Sequence, residues 1–178
     1  MIGVPLLSGE DFEQLFTSFE TSAFRLETRE RYHLAKNEAE PLRRFLEGRP
    51  VDMRWLGSWL DLVQEHTRQG RSMSRVRVVS RPFSDYTRFG LMVSEHNINA
   101  GDHIRYLERS EAGRLGLPHS DWWLFDDERV ALLHFTSDDI LLGAEIVTDP
   151  TAVEQYRRWR DIAWNSSAGR EEFVKSGA

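Results

Sequence analysis

Two stretches decide the fold: Arg75-Val76-Arg77-Val78-Val79-Ser80-Arg81-Pro82, and His103-Ile104-Arg105-Tyr106-Leu107 after it. Val76, Val78 and Val79 read as a short strand punctuated by Pro82. Ser84 opens a helix bearing Tyr86, Phe89, Met92, Val93 and His96, and Ala100-Gly101-Asp102 closes it. Residues 103–107 return as a second strand, and the intervening length suits a parallel crossover.

Downstream, residues 109–115 read as a small helix stopped by Gly116 and Pro118. Trp122–Phe125 and Val130–Phe135 read as strands joined through Asp126-Asp127-Glu128-Arg129, and Ile140–Val147 as a further strand. Asp149-Pro150 starts a last helix that runs to about Trp164. Upstream, residues 9–19 predict an amphipathic helix with Ser8 and Asp11 as a capping pair. Residues 23–28 predict a strand with one charged face. Asn37 and Asp52 read as caps of two more helices, the second carrying Trp55, Leu56, Trp59, Leu60 and Val63. The expected architecture is α/β (or α+β), a single mixed sheet flanked by helices. It forms one domain over 1–165, with a helical first part (1–70), a mixed-sheet part (74–165) and a tail at 166–178 that frays.

Composition narrows function. The 178 residues contain 23 basic and 29 acidic side chains, a net charge of −6, and no cysteine. Of the basic residues only Lys36 and Lys175 are lysine. Without cysteine there is no disulfide framework, thiolate zinc site or thiol nucleophile. The acidic balance disfavours nucleic acid as the default partner. The opening Met1–Leu7 has no basic region ahead of an apolar run, and no window has the roughly 20 apolar residues of a membrane span. A cytoplasmic location without membrane attachment is the expectation. No glycine-rich nucleotide loop or Gly-x-Ser-x-Gly elbow occurs, so no cofactor is expected.

Phe24–Tyr32, Arg75–Ser80, Trp123–Asp127, His134-Phe135 and Trp159–Trp164 together resemble an uncharacterised actinobacterial family of small soluble proteins with a domain of unknown function. The resemblance spans nearly the whole chain up to Trp164. Such proteins are often encoded near helix-turn-helix regulators of the Xre type. The resemblance implies a regulatory role and a possible regulator as protein partner. A remoter resemblance links His119, Asp121 and Asp126 to the His-x-Lys-x4-Asp motif of the phospholipase D superfamily, which implies a related sheet. It makes His119 the candidate nucleophile and Asp126 the group that orients it. Asp121 stands where that motif has lysine, the Gly-Ser after the motif is absent, and an anion there repels phosphate.

Other clusters have plainer readings beside the functional ones. His119, Asp121, Asp126 and His134 are the best metal-ligand set, yet neither a His-x-His pair nor the Glu-bearing helical motif of zinc hydrolases occurs, and no metal is assigned. Arg68, Arg71, Arg75, Arg77 and Arg81, and Arg157, Arg158 and Arg160 around Trp159, could bind an anion or DNA, or form solvated faces balanced by nearby acids. Arg25, Glu27, Arg29, Glu30 and Arg31 could line a polar groove or meet a partner, or protect an exposed sheet edge. Trp122 and Trp123 face opposite ways on a regular strand, one in the core and one a possible platform. The leading expectation is a non-enzymatic regulatory module that binds a protein partner or a small ligand through Arg25, Glu27, Arg29, Arg77, Asp121, Trp122, Trp123 and His134. The alternatives are a His119 phosphodiesterase and DNA binding through the arginine patches.

Overall fold

Parallel pairing starts with β1 (Ser22–Glu27), β2 (Ser72–Val79) and β3 (His103–Glu108), side by side in that order. The computed structural model describes residues 5–34 and 37–177; the opening residues 1–4, Lys36 and Ala178, which entered the sequence readings above, lie outside them. Two chain segments make the crossovers. Between β1 and β2 run a helix Ala39–Leu46, a 3-10 turn Met53–Leu56 and a helix Gly57–Arg68. With the N-terminal helices α1 (Gly9–Glu13) and α2 (Leu15–Ser18), these two are α3 and α4. Between β2 and β3 runs α5 (Asp85–Ala100), whose Ser84 side chain caps the Thr87 amide.

β4 (Trp122–Phe125), β5 (Arg129–Phe135) and β6 (Leu141–Val147) extend the sheet antiparallel from the other side of β1. The order is β6-β5-β4-β1-β2-β3-β7, where β7 (Ala168–Gly169) pairs antiparallel with β3. The mixed sheet flanked by helices is therefore as expected.

The two sheet faces are packed differently. Phe24, Leu26, Val76, Val78, Trp122, Leu124 and Val130 form one core with α6 (Arg109–Arg114) and α7 (Pro150–Ser166), through Ala112, Val153 and Ala163. The opposite face packs Ala23, Met73, Trp123, Phe125 and Ala131 against Leu15, Phe19 and Val63 of the α1–α4 layer. A third cluster joins Val79, Ile104 and Tyr106 to Leu91 and Phe173. Between the second and third clusters the sheet carries charged side chains.

Several local expectations change. Residues 9–19 break at Gln14 into two helices, and the Ser8 side chain makes no cap bond. Glu38, not Asn37, is the N-cap of α3; the Asn37 amide donates instead to the Trp55 carbonyl, at 3.5 Å. β2 begins at Ser72, earlier than the valines suggest, because Met73 is the one apolar residue of Ser72–Arg75 and makes too short a pattern to read. β1 lies within the sheet between β4 and β2, so no helical first part stands apart from the strands, and the exposed-edge reading of its charged face does not hold. The segment 166–178 does not simply fray: β7 pairs with β3, and α8 (Arg170–Lys175) buries Phe173 on Tyr106 with rings 5.6 Å apart. Phe173→Ala is expected to destabilise the fold by about 3 kcal/mol in urea unfolding, the usual cost of deleting a buried ring. A fraying tail would show no change.

Candidate functional site

Alternation along β1 puts Arg25 and Glu27 on the α-layer face, opposite Phe24 and Leu26. Alternation along β2 does the same for Arg75 and Arg77. Register then places Arg25 beside Arg75 and Glu27 beside Arg77. Three arginines and one glutamate thus meet at the centre of a sheet face, where apolar side chains are the norm.

Glu27, 3% exposed, is the hub. Its Oε1 lies 3.4 Å from Arg25 Nη1 and accepts from Arg75 Nη1 at 3.1 Å; its Oε2 accepts from Arg77 Nη1 at 2.8 Å. Burial alone would raise the Glu27 pKa, but the charges of Arg25, Arg75 and Arg77 outweigh it and hold the group at about 2. Burial likewise opposes the charge on Arg25 and Arg77, and Glu27 overrides it, so both stay firmly protonated.

Two further carboxylates brace the arginines. Asp102 Oδ2 accepts from Arg75 Nε at 3.0 Å and Nη2 at 2.5 Å. It is delivered by the end of α5, where Gly101 takes φ 117° and packs so close to Thr67 that an added Cβ would lie 2.1 Å from its hydroxyl. Only glycine meets both demands. Asp121, with a side chain 0% exposed, accepts from the Thr28 amide at 2.7 Å, from Arg25 Nη2 at 3.3 Å and from the Tyr32 hydroxyl. The Thr28 hydroxyl lies 2.7 Å from Asp121 Oδ1 and 2.9 Å from the His119 carbonyl, and donates to one at a time.

Above this floor lies a cavity of about 480 Å³. Its walls are aromatic: Phe16, Trp55, Trp59, Tyr86, Phe89, Trp123 and Phe135, with Tyr32 at the side. The rings also face the guanidinium groups. Arg25 sits 5.3 Å from the Tyr32 centroid and 5.5 Å from that of Trp123, Arg77 5.5 Å from Tyr86, and Arg75 5.8 Å from Trp59. Trp59 Nε1 donates to Asn97 Oδ1 at 2.9 Å, which fixes the indole. Burial pushes the Tyr86 phenol up to about 12, and burial followed by Glu27 raises Tyr32 well above its ordinary value.

Of the residues predicted to bind, the structure brings Arg25, Glu27, Arg77 and Trp123 into the cavity lining, with Asp121 directly behind Arg25. Arg29 is nearby but engaged elsewhere: its guanidinium pairs with Asp139 and lies 4.7 Å from the Phe135 centroid. Trp122 faces the other way and packs edge-on to Tyr156 in the core. His134 also faces away and pairs with Glu145 at 3.1 Å.

His119 and Asp126 are not brought together. They flank opposite ends of β4, His119 beside Thr28 and Asp126 beside the start of β1. Asp126 accepts from the backbone amides of Glu20, Thr21 and Ser22 at 3.0, 2.7 and 3.1 Å. Burial opposes its charge, but these amide bonds prevail and lower its pKa. Asp126 and Asp127 also make the hairpin turn, at φ 54° and 59°, a conformation aspartate tolerates better than most residues. Asp126 thus tethers a turn and is not placed to orient His119. Among the described residues no group of three or more His, Asp or Glu is arranged to hold a metal. Nor do the arginine clusters make one patch. Arg75 and Arg77 face the cavity, Arg68 pairs with Glu65, Arg81 donates to the Phe173 carbonyl, and Arg157 and Arg160 turn to Asp127.

The sequence reading missed Tyr32, Trp55, Trp59, Tyr86, Asn97 and Asp102 as members of the site. Trp55 and Trp59, and Tyr86, Phe89, Val93 and Asn97, do follow helical spacing. That spacing signals a face turned to the sheet, but it does not say whether the sheet meets it with apolar or charged groups.

A family model for a domain of unknown function, DUF6879, matches residues 10–175. The chain belongs to the DUF6879 family. The match runs from α1 to the end of α8, so the sheet, the cavity and the C-terminal helix all lie within the DUF6879 domain. No curated protein matches the chain. Among the described residues no helix of this DUF6879 protein is long and apolar enough to cross a membrane.

Proposed function

We propose that this DUF6879 domain is a non-enzymatic regulatory module whose aromatic cavity over β1 and β2 receives a small organic ligand. One observation carries the reading: ionised side chains are buried at the floor of a cavity of about 480 Å³, a volume typical of small-molecule sites. A buried ion network contributes less to stability than apolar packing of the same volume would. Such a local departure from good packing is characteristic of functional sites. Two titrating groups of the lining, Glu27 and Tyr86, also favour recognition over acid–base chemistry. Glu27 at about 2 and Tyr86 at about 12 each keep one protonation state across the neutral range. The regulatory part rests on the resemblance to proteins encoded beside helix-turn-helix regulators; occupancy of the cavity is then the signal that a protein partner reads.

The neutral fluorophore 6-propionyl-2-dimethylaminonaphthalene tests the cavity. Saturable one-site binding is expected, seen as a blue-shifted emission. Val93→Trp, which fills the space from α5, should weaken it at least about ten-fold, the loss of a few ring contacts. Binding that is not saturable, or that a folded Val93→Trp variant leaves unchanged, rejects the proposal.

A further inference from the structure

Resting on that reading, we infer that the ligand of the cavity is a flat-ringed organic monoanion of the carboxylate class, seated on Arg77. The charges are asymmetrically placed. Arg25, Arg75 and Arg77 line the sheet floor together with Glu27, whereas Asp102 and Asp121 are not in the lining; the other lining carboxylates among the described residues are Glu38 and Asp139, and Asp139 is paired with Arg29 and Arg31. The floor over β1 and β2 is therefore positive, although the described cavity lining as a whole holds as many carboxylates as arginines.

The three arginines are not equally available. All three nitrogens of the Arg75 guanidinium have partners: Nε and Nη2 on Asp102, and Nη1 on Glu27. Both Nη atoms of Arg25 face carboxylates, Glu27 and Asp121, so that only its Nε, buried like that of Arg77, has no partner among the described residues. Arg77 makes one hydrogen bond among the described residues, from Nη1 to Glu27, and its Nε is buried without a partner. A guanidinium with donors to spare is suited to a carboxylate, whose two oxygens match its fork. Gly90 of α5 leaves room beside that group: a Cβ there would lie 3.7 Å from Arg77 Cζ.

Charge balance selects carboxylate over phosphate. Glu27, Asp102 and Asp121 already offset the three arginines. A carboxylate leaves one uncompensated charge in a partly desolvated site, and a phosphate dianion leaves nearly two. The ring follows from the walls, because Trp55, Trp59 and Phe89 offer faces and edges for stacking.

Competition against the neutral fluorophore separates the claims, using 2-naphthoate, 2-naphthamide and 2-naphthyl phosphate as probes. In the wild type the carboxylate should displace it at least about ten-fold better than the amide, as charge-assisted hydrogen bonds do, and better than the phosphate. Arg77→Met should bring carboxylate and amide to near equality while the fluorophore still binds. Equal displacement by wild-type carboxylate and amide overturns the anion inference and leaves the cavity reading standing. A phosphate stronger than the carboxylate overturns the charge-balance step. Failure of the fluorophore and of all three probes to bind rejects both readings.

Discussion

Glu27→Ala is expected to be among the most damaging single changes, lowering the unfolding free energy by about 3–5 kcal/mol. Three guanidinium groups converge on this one carboxylate, whose own side chain is only 4% exposed. Asp121 and Asp102 still hold Arg25 and Arg75 in the variant, but Arg77 loses the one carboxylate it pairs with among the described residues. The pH dependence supplies a second measure. The Glu27 pKa falls from 4.5 to about 2 on folding, so its contribution is fully present above about 4.5 and is lost as pH falls toward 2. The shift corresponds to on the order of 3 kcal/mol. Asp126 and Asp139 are shifted in the same direction, so the Glu27 share is isolated by subtracting the curve of Glu27→Gln. Urea unfolding between pH 2 and 7 gives both curves. Parallel curves for wild type and Glu27→Gln would show that the arginines do not hold the group ionised.

Asp121→Ala should cost a similar amount, about 3–5 kcal/mol, for a different reason. This carboxylate joins three parts of the chain: the Thr28 amide where β1 ends, the Tyr32 hydroxyl in the following loop, and Arg25 on the strand. Removing it strands a buried amide and weakens the hold on Arg25. Tyr32 also loses its anchor, so the wall over Arg25 and Arg77 loosens and the naphthalene fluorophore should bind more weakly. Asp121→Asn keeps an acceptor for Thr28 and should lose less. A fully buried residue that could be replaced by alanine for under about 1 kcal/mol would mean that the loop is held by other contacts. Those contacts exist: Arg29 and Arg31 both pair with Asp139, and the His33 amide donates to the Asp139 carbonyl. The stability and fluorophore measurements together separate the two anchors.

Both residues carry the site, and they were legible to different degrees. The alternation Arg25-x-Glu27 was visible, and so was Arg75-x-Arg77, but as two unrelated charge patterns some fifty positions apart. Nothing local says that β1 and β2 are neighbours in parallel register, because parallel pairing is set by what the crossover helices cover. An isolated charged strand face suggests an exposed edge, and that reading fails here because antiparallel β4 closes the other side of β1. His119 and Asp126 show the opposite error. Their spacing imitates a catalytic motif, but a strand separates residues by over 3 Å each, so β4 holds the two apart. Asp126 then serves the turn at its own end.

The sequence by itself determined most of the elements: alternating valines, the Ser84 and Asp149 caps and the Gly101 stop are short-range signals, and the structure realises the caps and the stop at the expected residues, while β2 starts earlier than its valines. It also determined that Trp122 and Trp123 part to opposite faces, since the period of a strand is two. Only the tertiary structure decided that two charge patterns become one buried cluster, that aromatic stripes on α4 and α5 become the walls above it, and that residues 168–175 pack onto the β3 edge. The physical reason is range. Caps and periodicity act within a turn or two of chain, whereas burial of Glu27 is tolerable only because Arg75 and Arg77 arrive from a distant strand.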